Sequence, residues 1–171
     1  MTHSASSRCK LACASGFLLS LVMGVVARAE EPAIPKREAR FVLETVTGRV
    51  VFLGEAMQRL HGVKWVDEAR ERTLALETPA GTLQPLVEDV RGRGFRNDRR
   101  LRELDLELVV RRYRGSPALQ VLGVYSLEKS GKFELDYWCD VCAIAMYELK
   151  PCECCQGSTE FRRRKAADLK P

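Results

Sequence analysis

Histidine is almost absent from this sequence, which contains only His3 and His61. Catalytic triads and most catalytic zinc sites depend on histidine side chains. A phosphate-binding loop, a nucleophile elbow and a dinucleotide-binding fingerprint are also missing from the sequence. We therefore expect a protein without enzymatic activity, and we interpret His61 as a surface residue.

The sequence also lacks an apolar run long enough to form a stable membrane span. Residues 11–26 are mostly apolar, but glycine and serine interrupt them, and they fall short of the roughly 20 residues that a spanning helix needs. Arg8 and Lys10 precede this run and the small-x-small sequence Ala27-Arg28-Ala29 follows it, as in a cleavable signal peptide. We therefore predict a signal peptide at residues 1–29 and an exported bacterial protein, periplasmic or secreted. An uncleaved membrane anchor is the alternative.

Little net charge remains after the predicted signal peptide. Three of the 28 lysine and arginine residues and none of the 23 acidic residues lie in residues 1–29, which leaves a net charge of +2 for the rest. Nucleic-acid-binding proteins are usually far more basic, so we do not expect nucleic acid as a partner. The expected partner is an unidentified protein or an anionic component of the cell envelope. Oligonucleotide or polyanion binding stays an alternative because six arginines cluster at residues 91–102.

Residues 41–131 have the alternating apolar pattern and the turn signals of a small β domain. Strands are predicted at residues 41–43, 50–53, 73–77, 83–87, 106–110, 119–125 and 133–138, with a turn at Thr47-Gly48. Short helices are predicted at residues 54–60, before Gly62, and from a cap at Asn97 or Asp98 to Leu104.

This order of elements resembles that of the OB-fold, a small Greek-key barrel of five strands with a helix between the third and the fourth. The resemblance covers about residues 41–127 and rests on element order; a small sandwich or an SH3-like barrel would give a similar order. It implies a mainly β protein with an OB-like five-stranded barrel. The predicted organisation is a flexible lead at 30–40, the barrel domain at 41–131, a C-terminal module at 132–161 and a solvated basic tail at 162–171.

Cysteine is missing from residues 30–138 and concentrated in residues 139–155. A disulfide framework usually spreads its cysteines over distant loops, whereas these five lie in one short segment. Cys139-Asp140-Val141-Cys142 and Cys152-Glu153-Cys154-Cys155 form two Cys-x-x-Cys pairs with nine residues between them. Two intervening residues allow a tight turn to direct both sulfur atoms at one Zn²⁺ ion, about 2.3 Å away.

This spacing resembles that of a short zinc ribbon, a family in which two knuckles each present a pair of thiolates to one metal ion. The resemblance implies a structural zinc site with Cys139, Cys142, Cys152 and Cys155 as ligands. Together with the predicted export, this leads us to expect a binding or interaction module of the cell envelope. Cys154 departs from the family as an alternative ligand or free thiol, and no glycine directly follows Cys142, where many knuckles have one. The alternatives are disulfide bonds in place of the metal, and a thiol redox or metal-handling factor.

Overall fold

The computed structural model describes residues 40–166. The predicted signal peptide, the predicted lead except for its last residue, and residues 167–171 of the predicted tail lie outside the described residues. Within residues 40–166, none of the helices combines the length and the apolar character needed to cross a membrane.

The described residues form a mainly β structure, as predicted, with an open antiparallel sheet of eight strands. The strands are β1 (Phe41–Phe52), β2 (Leu74–Glu77), β3 (Leu83–Pro85), β4 (Leu106–Tyr113), β5 (Leu119–Glu128), β6 (Gly131–Cys139), β7 (Ile144–Met146) and β8 (Glu160–Lys165). The helices are α1 (Leu53–His61), α2 (Asp67–Arg70), α3 (Gly94–Asn97) and α4 (Arg99–Arg102). The strand order is β3-β2-β1-β4-β5-β6-β7, and β8 pairs with β6.

The alternation of apolar and polar residues along the strands determines which side chains form the buried core. In β4 the side chains of Leu106, Leu108 and Val110 are buried, while the residues between them are only partly buried. Phe95 of α3 and Leu101 of α4 join the same buried cluster, so these two short helices cover the core. The predicted cap of α4 is confirmed, since the Asp98 carboxylate accepts a hydrogen bond from the Arg100 backbone N–H at 2.9 Å.

The long first strand is shared between two neighbours. Residues 41–48 of β1 pair with β4, and residues 49–52 pair with β2. Gly48 lies where the partner changes, and a Cβ atom on it would stand 2.2 Å from the Glu77 carbonyl oxygen. The turn predicted at Thr47-Gly48 is therefore wrong: the glycine permits close approach of two strands and does not reverse the chain.

We expect Gly48→Ala to lower the free energy of unfolding by about 1–3 kcal/mol, the usual range for forcing extra atoms into a packed position. The added methyl group would meet backbone, which cannot move aside without breaking the β1–β2 pairing. Thr47→Ala, a change at the exposed neighbouring residue, is the matched control. Urea denaturation measures both variants, and equal midpoints for Gly48→Ala and the wild type would contradict this account of the glycine.

The predicted five-stranded barrel is not confirmed by regular strand pairing, because the eight-stranded sheet is open. One contact does join β3 to β5. Leu86, directly after β3, forms an isolated parallel bridge with Leu119, and the Val87 N–H donates to the Leu119 carbonyl at 2.8 Å. The helices α3 and α4 lie between β3 and β4 in the chain, as the OB-like order predicted.

The basic run Arg162-Arg163-Arg164-Lys165, predicted to belong to a solvated tail, lies instead in β8. This strand pairs with β6 from Phe133 to Trp138. The three arginines form ion pairs with carboxylates of β5 and β6, namely Asp136, Glu128 and Glu134. The charged run therefore forms a strand because its carboxylate partners, about 30 positions earlier in the sequence, stabilise its pairing with β6.

Candidate metal centre

The cysteines lie around the end of β6. Cys139 is the last residue of this strand, Cys142 follows in the turn to β7, and Cys152 and Cys155 lie in the turn between β7 and β8. The Sγ atoms of these four residues all lie within 4.8 Å of one another. All five cysteines of residues 40–166 are free thiols.

The distances between these sulfur atoms suit a bound metal ion. The Sγ atoms of Cys139 and Cys155 are 3.5 Å apart. Sulfur atoms placed tetrahedrally at about 2.3 Å from one zinc ion are about 3.8 Å from each other. The cluster of Cys139, Cys142, Cys152 and Cys155, called the four-cysteine cluster below, could therefore hold a metal ion.

The first turn of the cluster directs backbone N–H groups at a sulfur atom. The N–H groups of Cys142 and Val141 hydrogen-bond to Cys139 Sγ and lower its pKa, but burial and the neighbouring thiols outweigh them, so the pKa of Cys139 is raised overall. β6 and β7 close the turn through the pairing of Cys139 with Ile144. Ala143, between Cys142 and Ile144, adopts a left-handed conformation with φ 52°.

The second turn repeats this arrangement. The N–H groups of Cys155 and Cys154 hydrogen-bond to Cys152 Sγ and lower the pKa of Cys152 to about 7. The Gln156 N–H donates to the Cys152 carbonyl at 2.9 Å, and the Gly157 N–H lies 3.4 Å from Cys155 Sγ. Gln156 is left-handed, with φ 58°. Each Cys-x-x-Cys pair is therefore followed by a left-handed residue, and backbone donors surround the sulfur atoms as they do around bound thiolates.

Ala143 occupies the position at which the sequence lacks the glycine of many knuckles. Its left-handed backbone is strained for a residue with a Cβ atom. We expect Ala143→Gly to raise the free energy of unfolding by about 1 kcal/mol. Ala145→Gly, the same change two residues away in β7, should lower it by about 1 kcal/mol because the glycine there would only loosen a strand. Thermal unfolding of both variants tests the sign, and destabilisation by Ala143→Gly would contradict it.

Burial divides the cluster into two sides. Cys139 and Cys152 are fully buried, in contact with Tyr137, Met146 and the partly buried Phe161. Cys142 is half-buried, whereas Cys155 is exposed. Cys154, the departure from the ribbon pattern, is also exposed and does not belong to the four-cysteine cluster.

The aromatic residues near the site have different roles. Tyr137 is buried under the cluster and donates a hydrogen bond to Asp98 at 2.7 Å. Trp138 lies under the guanidinium group of Arg162, and Tyr147 lies under that of Arg91. Tyr137 alone of these three therefore packs into the buried side of the site.

A residue that the sequence analysis missed is Glu148, in the spacer between the two cysteine pairs. Its side chain is 7% exposed and accepts hydrogen bonds from Arg93 at 2.9 Å and from Asn97 at 2.5 Å. Lys150 lies 3.1 Å from the same carboxylate. The sequence shows only a single acidic residue between Tyr147 and Leu149. Its burial could not be predicted from this, because its partners Arg93 and Asn97 lie more than 50 positions earlier.

The arginine cluster at residues 91–102 is engaged within the protein. Four members form ion pairs, namely Arg93 with Glu148, Arg96 with Glu88, Arg99 with Glu103 and Arg100 with Asp98. Arg91 stacks on Tyr147, and Arg102 donates to the Phe95 carbonyl. The aromatic residue of this segment, Phe95, is fully buried. His61 ends α1 at the surface and does not join the four-cysteine cluster.

Residues 40–166 thus define a mainly β protein whose four clustered cysteines could hold a metal ion. Comparison of the chain with protein-family models, with curated proteins and with solved structures finds no match.

Proposed function

We propose that this chain is an exported, non-enzymatic bacterial protein in which the four-cysteine cluster binds one structural zinc ion and shapes an interaction module of the cell envelope. The observation that carries the proposal is the convergence of four Sγ atoms within 4.8 Å, from two turns with matching backbone geometry. Four thiolates complete a tetrahedral zinc shell and leave no position for substrate or water. The role of the ion is therefore structural.

The segment around the cysteines needs such an ion to fold. Its buried apolar cluster contains only Tyr137, Met146 and the two cysteines Cys139 and Cys152, with Cys142 and Phe161 packed against it. Metal binding supplies folding energy where the apolar core is this small. Backbone N–H groups directed at the sulfur atoms offset the negative charge of four thiolates.

We also propose that β1 to β5 form an OB-like barrel to which the zinc ribbon is attached through β6. Three features support it: β1 is shared between β2 and β4, a parallel bridge joins Leu86 to Leu119, and α3 and α4 lie between β3 and β4. An OB-fold that binds polyanions presents free cationic groups and stacking aromatics. Here the arginines of residues 91–102 contact groups of the chain itself, which favours a protein partner.

Metal content and thiol accessibility, measured on one sample, test the proposal. The chain from residue 30 onward is refolded under reducing conditions with zinc, and its metal content is then measured by elemental mass spectrometry. We expect one zinc ion per chain, with four of the five cysteines protected from maleimide and all five reactive after chelation. Absence of stoichiometric zinc, or sulfur atoms joined in disulfides after this treatment, would remove the proposal.

A metal-handling protein is the second candidate function, and the exposed Cys154 beside the cluster favours it. A structural ion exchanges slowly and a transferred ion exchanges rapidly, so the rate of zinc release to a chelator separates the two.

A further inference from the structure

The first half of β1 has a free edge. Residues 41–48 pair with β4 on one side, but no strand within residues 40–166 pairs with their other side. On that side β2 reaches only residues 49–52 of β1. A row of unpaired backbone N–H and C=O groups is a template for pairing with a further strand.

The hydrogen bonds between β1 and β4 show which residues face the free edge. The Arg114 N–H donates to the carbonyl of Arg40, directly before β1, at 3.1 Å. In an antiparallel pair only every second residue bonds to the neighbouring strand, so from Arg40 onward the even-numbered residues bond to β4. Phe41, Leu43 and Thr45 therefore direct their N–H and C=O groups at the free edge.

This edge lacks the features that usually protect a strand from pairing with another chain. Residues 41–48 contain no proline and no lysine, and Glu44 is their only charged residue. The adjacent Val42 and Leu43 are 58% and 62% exposed. In contrast, β3 ends in Pro85, and β8 contains the basic run of residues 162–165. The free edge of β1 is therefore suited to pairing with a strand of another molecule.

We propose that β1 is a dimerisation strand, which pairs antiparallel with β1 of a second copy of this chain around a twofold axis at Leu43. In this register Leu43 exchanges N–H···O=C hydrogen bonds with Leu43 of the second copy, and Phe41 exchanges them with Thr45. The two exposed Leu43 side chains then cover each other, and the sheets of the two copies become continuous across the axis.

The charges along β1 favour this register. An axis one residue later would place Glu44 directly opposite Glu44 of the second copy, which is unfavourable. With the axis at Leu43, Glu44 lies opposite Val42 and diagonal to Arg40 of the other copy, on the same face of the sheet. Arg40 is exposed, and Glu44 is held in place by Arg112 at 2.6 Å. Each copy therefore contributes one carboxylate and one guanidinium group to contacts of opposite charge.

The residues that precede β1 in the chain are a less suitable occupant of the free edge. They contain Pro32 and Pro35, which have no N–H group to donate to a neighbouring strand. Residues 41–45 of a second copy contain no proline and offer an N–H group at every position. A second copy therefore fits the edge better than the chain's own lead.

The test measures the oligomeric state of the zinc-loaded chain from residue 30 onward, by sedimentation velocity over a range of concentrations. We expect the wild type to show a monomer–dimer equilibrium. Leu43→Lys and Leu43→Glu each place like charges opposite each other at the axis, so either should raise the dimer dissociation constant at least about tenfold. Leu127→Glu, at an exposed leucine of β5, is the matched control and should leave this constant unchanged.

A mixture of the two Leu43 variants tests the register. Because Leu43 lies opposite Leu43 of the second copy, the lysine of one variant would meet the glutamate of the other. Equimolar Leu43→Lys and Leu43→Glu should therefore form a mixed dimer at a concentration where neither variant dimerises alone. This result would also show that both variants are folded, whereas a mixture that stays monomeric would overturn the axis at Leu43.

Other outcomes would overturn the dimer itself. A wild-type chain that stays monomeric up to its solubility limit would do so, and a dimer that forms only after removal of residues 30–39 would show that these residues occupy the edge. A wild-type dimer that both Leu43 variants leave intact would place the interface elsewhere. Zinc per chain, measured on the same samples, should be equal in all variants, so failure of the metal site and failure of the dimer are separate results.

Discussion

Cys152→Ser is expected to abolish stoichiometric zinc binding and to unfold the segment that carries the cysteines. Cys152 is fully buried, and the N–H groups of Cys155 and Cys154 hold its sulfur in place. A serine hydroxyl stays protonated at neutral pH and is a poor zinc ligand. Structural zinc contributes about 10–16 kcal/mol of binding free energy in small zinc-binding peptides, so the loss of one buried ligand should cost several kcal/mol.

Cys154→Ser is the matched control for this prediction, because it makes the same chemical change two residues away at an exposed position. Zinc per chain is measured for both variants, and thermal unfolding is recorded with and without chelator. The wild type and Cys154→Ser should lose stability on chelation, whereas Cys152→Ser should not respond. Zinc binding by Cys152→Ser at the level of the wild type would contradict the assignment of the ligand.

The effect of metal loss should extend beyond the cysteines. Glu148 lies in the spacer between the two pairs and ties it to α3 through Arg93 and Asn97. Gly94 lies against the Tyr147 carbonyl, where a Cβ atom would approach to 2.5 Å. Unfolding the spacer therefore removes contacts of α3, and hydrogen exchange in residues 93–97 should speed up when zinc is removed.

The clustering of the four cysteines was predictable from the sequence because it depends on local spacing. Two residues between cysteines set a tight turn, and nine residues between the pairs allow the chain to reverse, so the four-cysteine cluster follows from spacing alone. The strands β2, β4 and β5 were predictable for the same reason, since alternation and adjacent turn residues define them.

Features that depend on distant contacts were not predictable. Gly48 looks like a turn residue, and only the approach of Glu77 shows why a side chain is excluded there. Ala143 gives no sign in the sequence that it takes the left-handed conformation of a missing glycine. The arginines of β8 resembled a tail because their carboxylate partners in β5 and β6 lie far away in sequence.

Asp136→Ala is expected to lower the free energy of unfolding by about 3–5 kcal/mol, the usual cost of removing one partner of a buried ion pair. The Asp136 side chain is 1% exposed, and Arg162 contacts its two oxygens at 2.8 and 2.7 Å. The hydrogen bonds that Arg162 donates to Asp136 raise the pKa of Arg162. An arginine is protonated at neutral pH even without a partner, so Arg162 stays charged when Asp136 is lost. Urea denaturation of the zinc-loaded protein measures the effect.

Glu134→Ala is the matched control. Glu134 lies in β6 like Asp136 and forms an ion pair with Arg164 of β8, but its side chain is more exposed than that of Asp136. It should cost less than about 1 kcal/mol, as surface ion pairs do. A cost for Asp136→Ala no greater than that of Glu134→Ala would contradict the importance of the buried pair.

Asp136→Ala should also loosen the metal site, because β8 packs against the buried side of the four-cysteine cluster. Phe161 of β8 packs on Tyr137 with ring centroids 5.6 Å apart, and both contact the buried side of the four-cysteine cluster. Without the Asp136–Arg162 pair, β8 separates more easily from β6 and zinc release should speed up. The double variant Asp136→Leu with Arg162→Met replaces the pair by apolar packing and should restore most of the stability. If it restored stability but not slow zinc release, Arg162 would support the site through its charge rather than through the β6–β8 pairing.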